Sequence, residues 1–345
     1  MGRKTVCLIL CCLLLTLVGM YAAVCLGNVF FSPGQAAKVF LYELRPAAFS
    51  AEQIPPQMEQ TLIWNFRVPR VLLGFICGAA LAVCGVCMQV LVRNKLADPY
   101  VLGVSSCASA AATVYMVLGQ TGAALAVGLH AAAFSGALIG TALVYLLSRV
   151  NGRTNLTHML MSGVIISMTM SAVTSLFSVM APDIYALRGM TFWLTGSLTG
   201  AKWQELLPPL VCMGICLCYL LLRWRELNLL AFGEETAGTL GLHVQRMEKA
   251  LFLVSALLTG VCVSVCGSVG FVGMIVPHIA RRFVGADHKK VLPLCALLGG
   301  NLVVWADVAA RLVAAPDEIP VGIMTALTGV PVFLLILWHG SAGDS

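Results

Sequence analysis

Residues Gly267 to Pro293 read GSVGFVGMIVPHIARRFVGADHKKVLP. Glycines at 267, 270 and 273 stand among Val, Phe, Met and Ile, then Pro277-His278 appears, and Arg281, Arg282, Lys289 and Lys290 follow. Evenly spaced glycines weaken an isolated helix by roughly 0.5–1 kcal/mol each, so a soluble core helix has little use for three. A plain membrane anchor has no need of a proline and a histidine near its end. The stretch reads as helix packed closely against other helices, loosened where Pro277 removes a backbone hydrogen bond, and ending in a basic cluster at a membrane surface.

Composition supports this. Of 345 residues, 59% are hydrophobic and only 10% charged, with a mean hydropathy of +0.93. Soluble domains carry about a quarter charged residues. The chain is therefore a multi-span membrane protein, and its +6 net charge acts through placement and does not point to nucleic acid. The fourteen cysteines sit almost wholly in apolar runs. Cys84 and Cys87 form a C-x-x-C, but no second pair stands at zinc-site spacing and a thiolate is costly in lipid. They read as small apolar side chains, and no metal site is expected.

Apolar segments fall near 5–27, 70–92, 100–118, 123–148, 157–180, 204–223, 250–268, 271–284, 291–313 and 320–339. Lipid offers no partner for backbone N–H and C=O, so each must be helical: an all-α polytopic fold of about ten transmembrane helices, in one domain spanning 1–345. The first segment follows Arg3 and Lys4 like a secretory signal, yet it runs long enough to span and is read as a retained helix. The segment 271–284 is short and should pack within the bundle. Residues 181–203 hold Pro182, Asp183, Arg188 and Lys202 and read as a loop with a short interfacial helix. With the N-terminus inside, ten crossings place Lys38, Arg45, Arg67, Arg70, Arg188, Lys202 and Arg311 outside. The remainder of the 21 Lys and Arg lie inside, which favours two cytoplasmic termini. Glycines four apart (Gly74 and Gly78, Gly136 and Gly140, Gly196 and Gly200) add to the case for a tight bundle.

The opening stretch resembles the signature of the permease subunits of vitamin B12, haem and iron–siderophore ABC importers. Three further stretches match in the same order: RVPRVLLGFICGAALAVCGVCMQVLVRNKLADPYVLGVSS at 67–106, LNLLAFGEETAGTLGL at 227–242 and ADVAARLVAAPDEIPVGIMTALTGVPVF at 306–333. One departure is Lys95, where the family's R-N-P-L-A-D-P run has proline. The resemblance implies the type II importer permease fold in a bacterial inner membrane. It also implies a homodimer or a pair of sister permeases with the pore at the interface, two separate ATPase subunits, and an extracytoplasmic binding protein that delivers the substrate. Membrane lipid is the surrounding partner. No G-x-x-x-x-G-K-[ST] phosphate loop occurs, so ATP is expected to be used by the partners, with no cofactor and no catalytic site on this chain.

Site residues follow from the same resemblance. Arg67, Arg70 and Arg311 match positions that meet acidic groups of the binding protein, for which guanidinium supplies bidentate donors. Arg311 also stands four residues after Asp307, so a local ion pair competes for it. Glu235-Thr-Ala-x-x-x-Gly241 resembles the E-A-A-x-x-x-G pattern that seats a short helix in an ATPase cleft, within a coupling segment of about 224–249. Glu234 and Glu235 suit a helix start, Gly241 suits the turn after it, and Leu229, Leu230, Phe232 and Leu240 offer an apolar face. The family's fifth and tenth helices line the pore, which nominates Met161, Met168, Gly322 and Thr325. Met159, Met161, Met168, Met170 and Met180 give a soft wall or ordinary packing. The expected cargo is a ferric siderophore, with haem or cobalamin as alternatives. Two rival classes are an ion-coupled secondary transporter, for which Asp307 is the one good buried acid, and a membrane enzyme built on His278 and His288. The Asp307–Arg311 pairing argues against the first. The lack of a carboxylate cluster or H-E-x-x-H argues against the second, and His278 reads as a helix-end residue.

Overall fold

The computed structural model describes residues 3–50, 53–120, 128–150, 153–154 and 156–341. In chain order its helices are α1 (Arg3–Cys25), α2 (Pro33–Leu44), α3 (Gln57–Gln60), α4 (Val68–Val92), α5 (Val104–Gln120), α6 (Leu129–Leu147), α7 (Leu156–Val179) and α8 (Ile184–Leu194). They continue with α9 (Trp203–Leu222), α10 (Trp224–Leu230), α11 (Glu234–Thr239), α12 (Val244–Cys266), α13 (Val272–Val284), α14 (His288–Val313) and α15 (Val321–Ser341). Two-residue strands at Arg149–Val150 and Arg153–Thr154 are the one departure from helix and turn among the described residues. Ten of these helices, α1, α4 to α7, α9 and α12 to α15, coincide with the ten apolar segments. Seven of them are long and apolar enough to cross a membrane, and α5 and α15 are shorter apolar helices.

Several boundaries move. The second span begins at Gln57 instead of 70, because a seven-residue π-helical run, Thr61–Arg67, joins α3 to α4. α12 begins at Val244 instead of 250, and the first residues of the 123–148 segment lie outside the described residues. α8 is the short helix expected within 181–203, capped by Asp183, whose Oδ1 accepts from the Ala186 amide at 2.7 Å. α2 lies outside the ten apolar segments. Ser32 and Gln35 form a reciprocal capping box at its start, with Pro33 in the first turn.

α4 is the centre of the bundle, buried along nearly its whole length and packed against α14, α12, α13 and α9. Two glycine contacts let it sit there. A Cβ at Gly78 would run into the Gly299 carbonyl of α14, and one at Gly85 into the Gly273 carbonyl of α13. Without a hydrophobic drive between helices in lipid, backbone approach of this kind supplies dispersion contact instead. Regular glycine spacing is not always a contact, for Gly200 of the four-apart pairs and Gly270 of the three-apart run both face open space.

Pro277 lies inside α13 and cannot donate to Gly273, four residues earlier. The orphaned carbonyl finds a substitute. Gln89 of α4 reaches across and its Nε2 donates to Gly273 O at 3.4 Å and to Met274 O at 3.1 Å. Its Oε1 in turn accepts from Arg281. The proline therefore costs the bundle no bare polar group, which lipid would penalise. Between α12 and α13 the chain is non-helical over residues 267–271. There Gly267 has φ 68° and Phe271 is left-handed at 69°. Tyr100 holds this break, its hydroxyl donating to Val269 O and accepting from Val269 N, both at 2.9 Å.

Candidate functional site

Polar side chains gather at the two ends of the bundle. At the end bearing α8, Arg70 projects from α4 between two carboxylates. Its Nη2 lies 2.8 Å from Asp307 Oδ1, its Nε donates to both Asp307 oxygens at 2.9 and 3.1 Å, and its Nη1 donates to Glu318 at 3.1 and 2.9 Å. Glu318 also accepts from Thr199 at 3.1 Å. Arg311 Nε meets Asp307 Oδ2 at 3.1 Å, while its other nitrogens donate to Leu26 O at 2.9 Å and Ala23 O at 3.2 Å. Arg67 donates to Val24 O at 2.9 Å, Cys25 O at 3.1 Å and Val29 O. Arg67 and Arg311 thus supply donors to the last carbonyls of α1, which have no partner within the helix and sit at its negative end.

This placement changes the reading of the three arginines. Arg70 and Arg311 are 9% and 4% exposed and engaged by their own chain, so neither presents a free fork to a carboxylate outside; Arg67 stays part-exposed. The Asp307–Arg311 pair, the competing reading, is formed. Asp307 is shared by two guanidiniums and is no isolated acid.

At the opposite end lies the segment resembling a coupling element. α11 is one short helix with Glu234 and Glu235 in its first turn, both exposed. Gly241 has φ 86°; its amide donates to Gly238 O at 3.0 Å and that of Leu242 to Ala237 O at 3.0 Å. This is the double bond pattern of a Schellman turn, which only glycine enters without strain. The apolar face divides. Leu230 is buried in the chain, whereas Phe232 and Leu240 are 75% and 61% exposed. A groove of about 360 Å³ opens at Leu240, lined also by Tyr219, Arg223, Leu229, His243 and Arg246.

Residues that sequence reasoning passed over tie this segment down. Arg93, left-handed at the end of α4, pairs with Glu234. Asn228 of α10 donates to Asp287 at 3.1 Å and accepts from the His288 amide and ring Nδ1 at 3.0 and 2.6 Å. Lys289 lies 5.3 Å over the Trp224 ring. Burial works to raise the Asp287 carboxyl, but the Asn228 and Lys289 hydrogen bonds and nearby Lys290 outweigh it and hold the group below its ordinary range. The turn at Lys95 closes without the family's proline because Asn94 Oδ1 accepts from Leu96 N at 2.9 Å.

Met161 and Met168 are 61% and 70% exposed on α7, whereas Thr325 is 1% exposed and Gly322 packs under the Thr195 carbonyl. The two methionines stand on α7, and Gly322 and Thr325 on α15. His288 is buried against Asn228. Cys84 and Cys87 are buried too, with Cys84 Sγ 3.2 Å from Thr259 Oγ1.

A multi-helix bundle in lipid, broken at its centre and polar at both ends, is the architecture of a multi-pass transport protein. The chain belongs to the FecCD transport family, whose model matches residues 14–339. It is 42% identical to the hemin transport permease HmuU of Yersinia pestis, over 80% of this chain and 83% of that one. Identity is 40% to the cobalamin import permease BtuC of Halobacterium salinarum, covering 82% and 74%. It is 36% to the Fe(3+)-citrate import permease YfmD of Bacillus subtilis, covering 82% and 83%. Among solved structures, an ABC transporter described as of metal-chelate type, in an inward-facing conformation, superposes with a TM-score of 0.82 at 29% identity. That match covers 96% of this chain and 99% of the other. The protein is an ABC importer permease with the type II fold.

Proposed function

We propose that this permease carries a metal chelate, first a ferric siderophore, from an extracytoplasmic binding protein to the cytoplasm of a bacterial cell, driven by two separate ATPase subunits. The observation that carries the reading is the exposed α11 end. A short helix with two acidic residues at its start, a glycine turn after it, a bare Phe232 and a bare Leu240 at the edge of a groove is a surface made to be covered by a protein. The basic residues Arg223, Arg225, Arg246, Lys249, Arg282 and Lys289 share elements with that end. This supports a cytoplasmic location for it and for both termini. The binding protein docks on the α8 end, where Arg67 is the part-exposed arginine and the Arg70–Asp307–Arg311 cluster shapes the rim. Two copies form the pathway. The exposed face of α7 with Met161 and Met168 faces the second copy or the cargo, with Gly322 and Thr325 on the α15 side. Haem and cobalamin are the competing cargoes, because the relatives' named substrates share a metal in an organic chelate.

The test is purification from native membranes through a tag on this chain, with mass measurement in nanodiscs and absorbance of the loaded binding protein. Two permeases with two ATPases support the reading, and a ferric-chelate, haem or corrin spectrum names the cargo. A transport-competent single permease without an ATPase contradicts it.

A further inference from the structure

Two polar contacts join the coupling segment to neighbouring helices of the chain. The first is the Arg93–Glu234 ion pair, between the C-terminal cap of α4 and the first residue of α11, with Glu248 of α12 lining the same small pocket as Glu234. The second is Asn228 of α10, whose amide bridges the Asp287 carboxylate and the His288 amide and ring at the start of α14. The Lys289–Trp224 contact lies beside it. The helices reached in this way, α4 and α14, are in backbone contact with each other through Gly78 and Gly299, as α4 is with α13 through Gly85 and Gly273.

We propose that Arg93 and Asn228 are positioning residues that hand the movement of α10 and α11 to the α4–α14 pair. This rests on the reading of α11 as the ATPase-contacting helix. The mechanics follow from packing. A push on α11 reaches α4 only through contacts that resist displacement, and α11 itself is six residues long, with Ala237 its one buried side chain. A charged pair and a three-bond amide bridge hold direction as well as distance, which loose apolar contact does not. Close-packed backbones at Gly78–Gly299 then transmit the displacement without compressing, since packed interiors are stiff.

The pair is also removable without harm to the fold. Arg93 and Glu234 side chains are 35% and 45% exposed, and exposed ion pairs contribute little to stability. Arg93 has φ 52°, a conformation that glycine adopts with less strain, so Arg93→Gly deletes the guanidinium while easing the backbone.

The experiment uses the complex of permease, ATPase and binding protein in proteoliposomes. It has two readouts: the ATPase that co-purifies with the permease, and the stimulation of ATP hydrolysis by loaded binding protein. Arg93→Gly and Asn228→Ala are expected to retain full co-purification and to lose roughly fivefold or more of the stimulation, the low end for coupling between sites. The exchange Arg93→Glu with Glu234→Arg is expected to restore most of it, which a general structural defect would not permit. Normal stimulation in Arg93→Gly at normal co-purification overturns the latch, and so does loss of co-purification, which would make Arg93 a docking residue. Absence of any ATPase with the wild-type chain would instead overturn the proposed function.

Discussion

Arg70 and Asp307, 237 residues apart in the chain, meet at 2.8 Å inside the bundle with 11% and 2% of their side chains exposed. Two helices and a loop are fastened there, because Glu318 holds the other side of the same guanidinium and Arg311 the other side of the same carboxylate. Removing Asp307 leaves two buried cations facing each other. Asp307→Asn should lower stability by about 3–5 kcal/mol, the usual cost of breaking one side of a buried pair. Thermal unfolding in detergent and abundance in the membrane measure this. Wild-type stability in Asp307→Asn would show that the pair carries no weight.

Gln89 and Pro277 should prove coupled. Gln89→Leu strips the substitute donor from the Gly273 carbonyl and the acceptor from Arg281, a loss of about 1–3 kcal/mol. Pro277→Ala restores an N–H that can bond to Gly273 within α13. In the double variant the cost of losing Gln89 should shrink. A double-mutant cycle with no interaction term would contradict the substitution account.

The two glycines Gly85 and Gly270 should behave oppositely. Gly85→Ala drives a methyl into the Gly273 carbonyl and forces α4 and α13 apart, at a cost of about 1–3 kcal/mol or more. Gly270→Ala meets nothing within 4 Å. Melting temperatures of the two variants compare them directly, and equal values would mean that α4 and α13 are not in backbone contact.

Gly241→Val puts a β-branched residue at φ 86°, which costs roughly 1–2 kcal/mol and unwinds the turn that ends α11. The spans are remote from it, so membrane abundance should hold while uptake and binding-protein stimulation fall several-fold. Reversal of Glu235 to Lys should act in the same direction. Normal uptake in both variants would remove α11 from the coupling path.

Much of this was legible in the sequence. Apolar runs located ten helices because lipid forces each to satisfy its own backbone, and Gly241 announced its turn because few other residues adopt the conformation. Helix starts were less visible. α4's extension back to Gln57 passes through polar residues such as Gln60 and Asn65, and α2 was signalled only by Ser32, Pro33 and Gln35. The arginines were the main change. Composition marks a guanidinium near a membrane surface, but whether it points outward depends on what lies 237 or 248 residues away, as Asp307 and Glu318 do from Arg70. Asn228, Glu318 and Gln89 carry no local pattern, and their roles exist only once distant helices are side by side.

The measurement that bears most directly on the whole account is uptake into proteoliposomes holding the complex purified through this chain. The binding protein loaded with radioiron–siderophore, haem or cobalamin is supplied outside, and ATP is either enclosed or omitted. The account predicts accumulation of one of the three only when ATP is enclosed and the binding protein is present, with no response to an imposed proton or sodium gradient. Gradient-driven accumulation without ATP would contradict it.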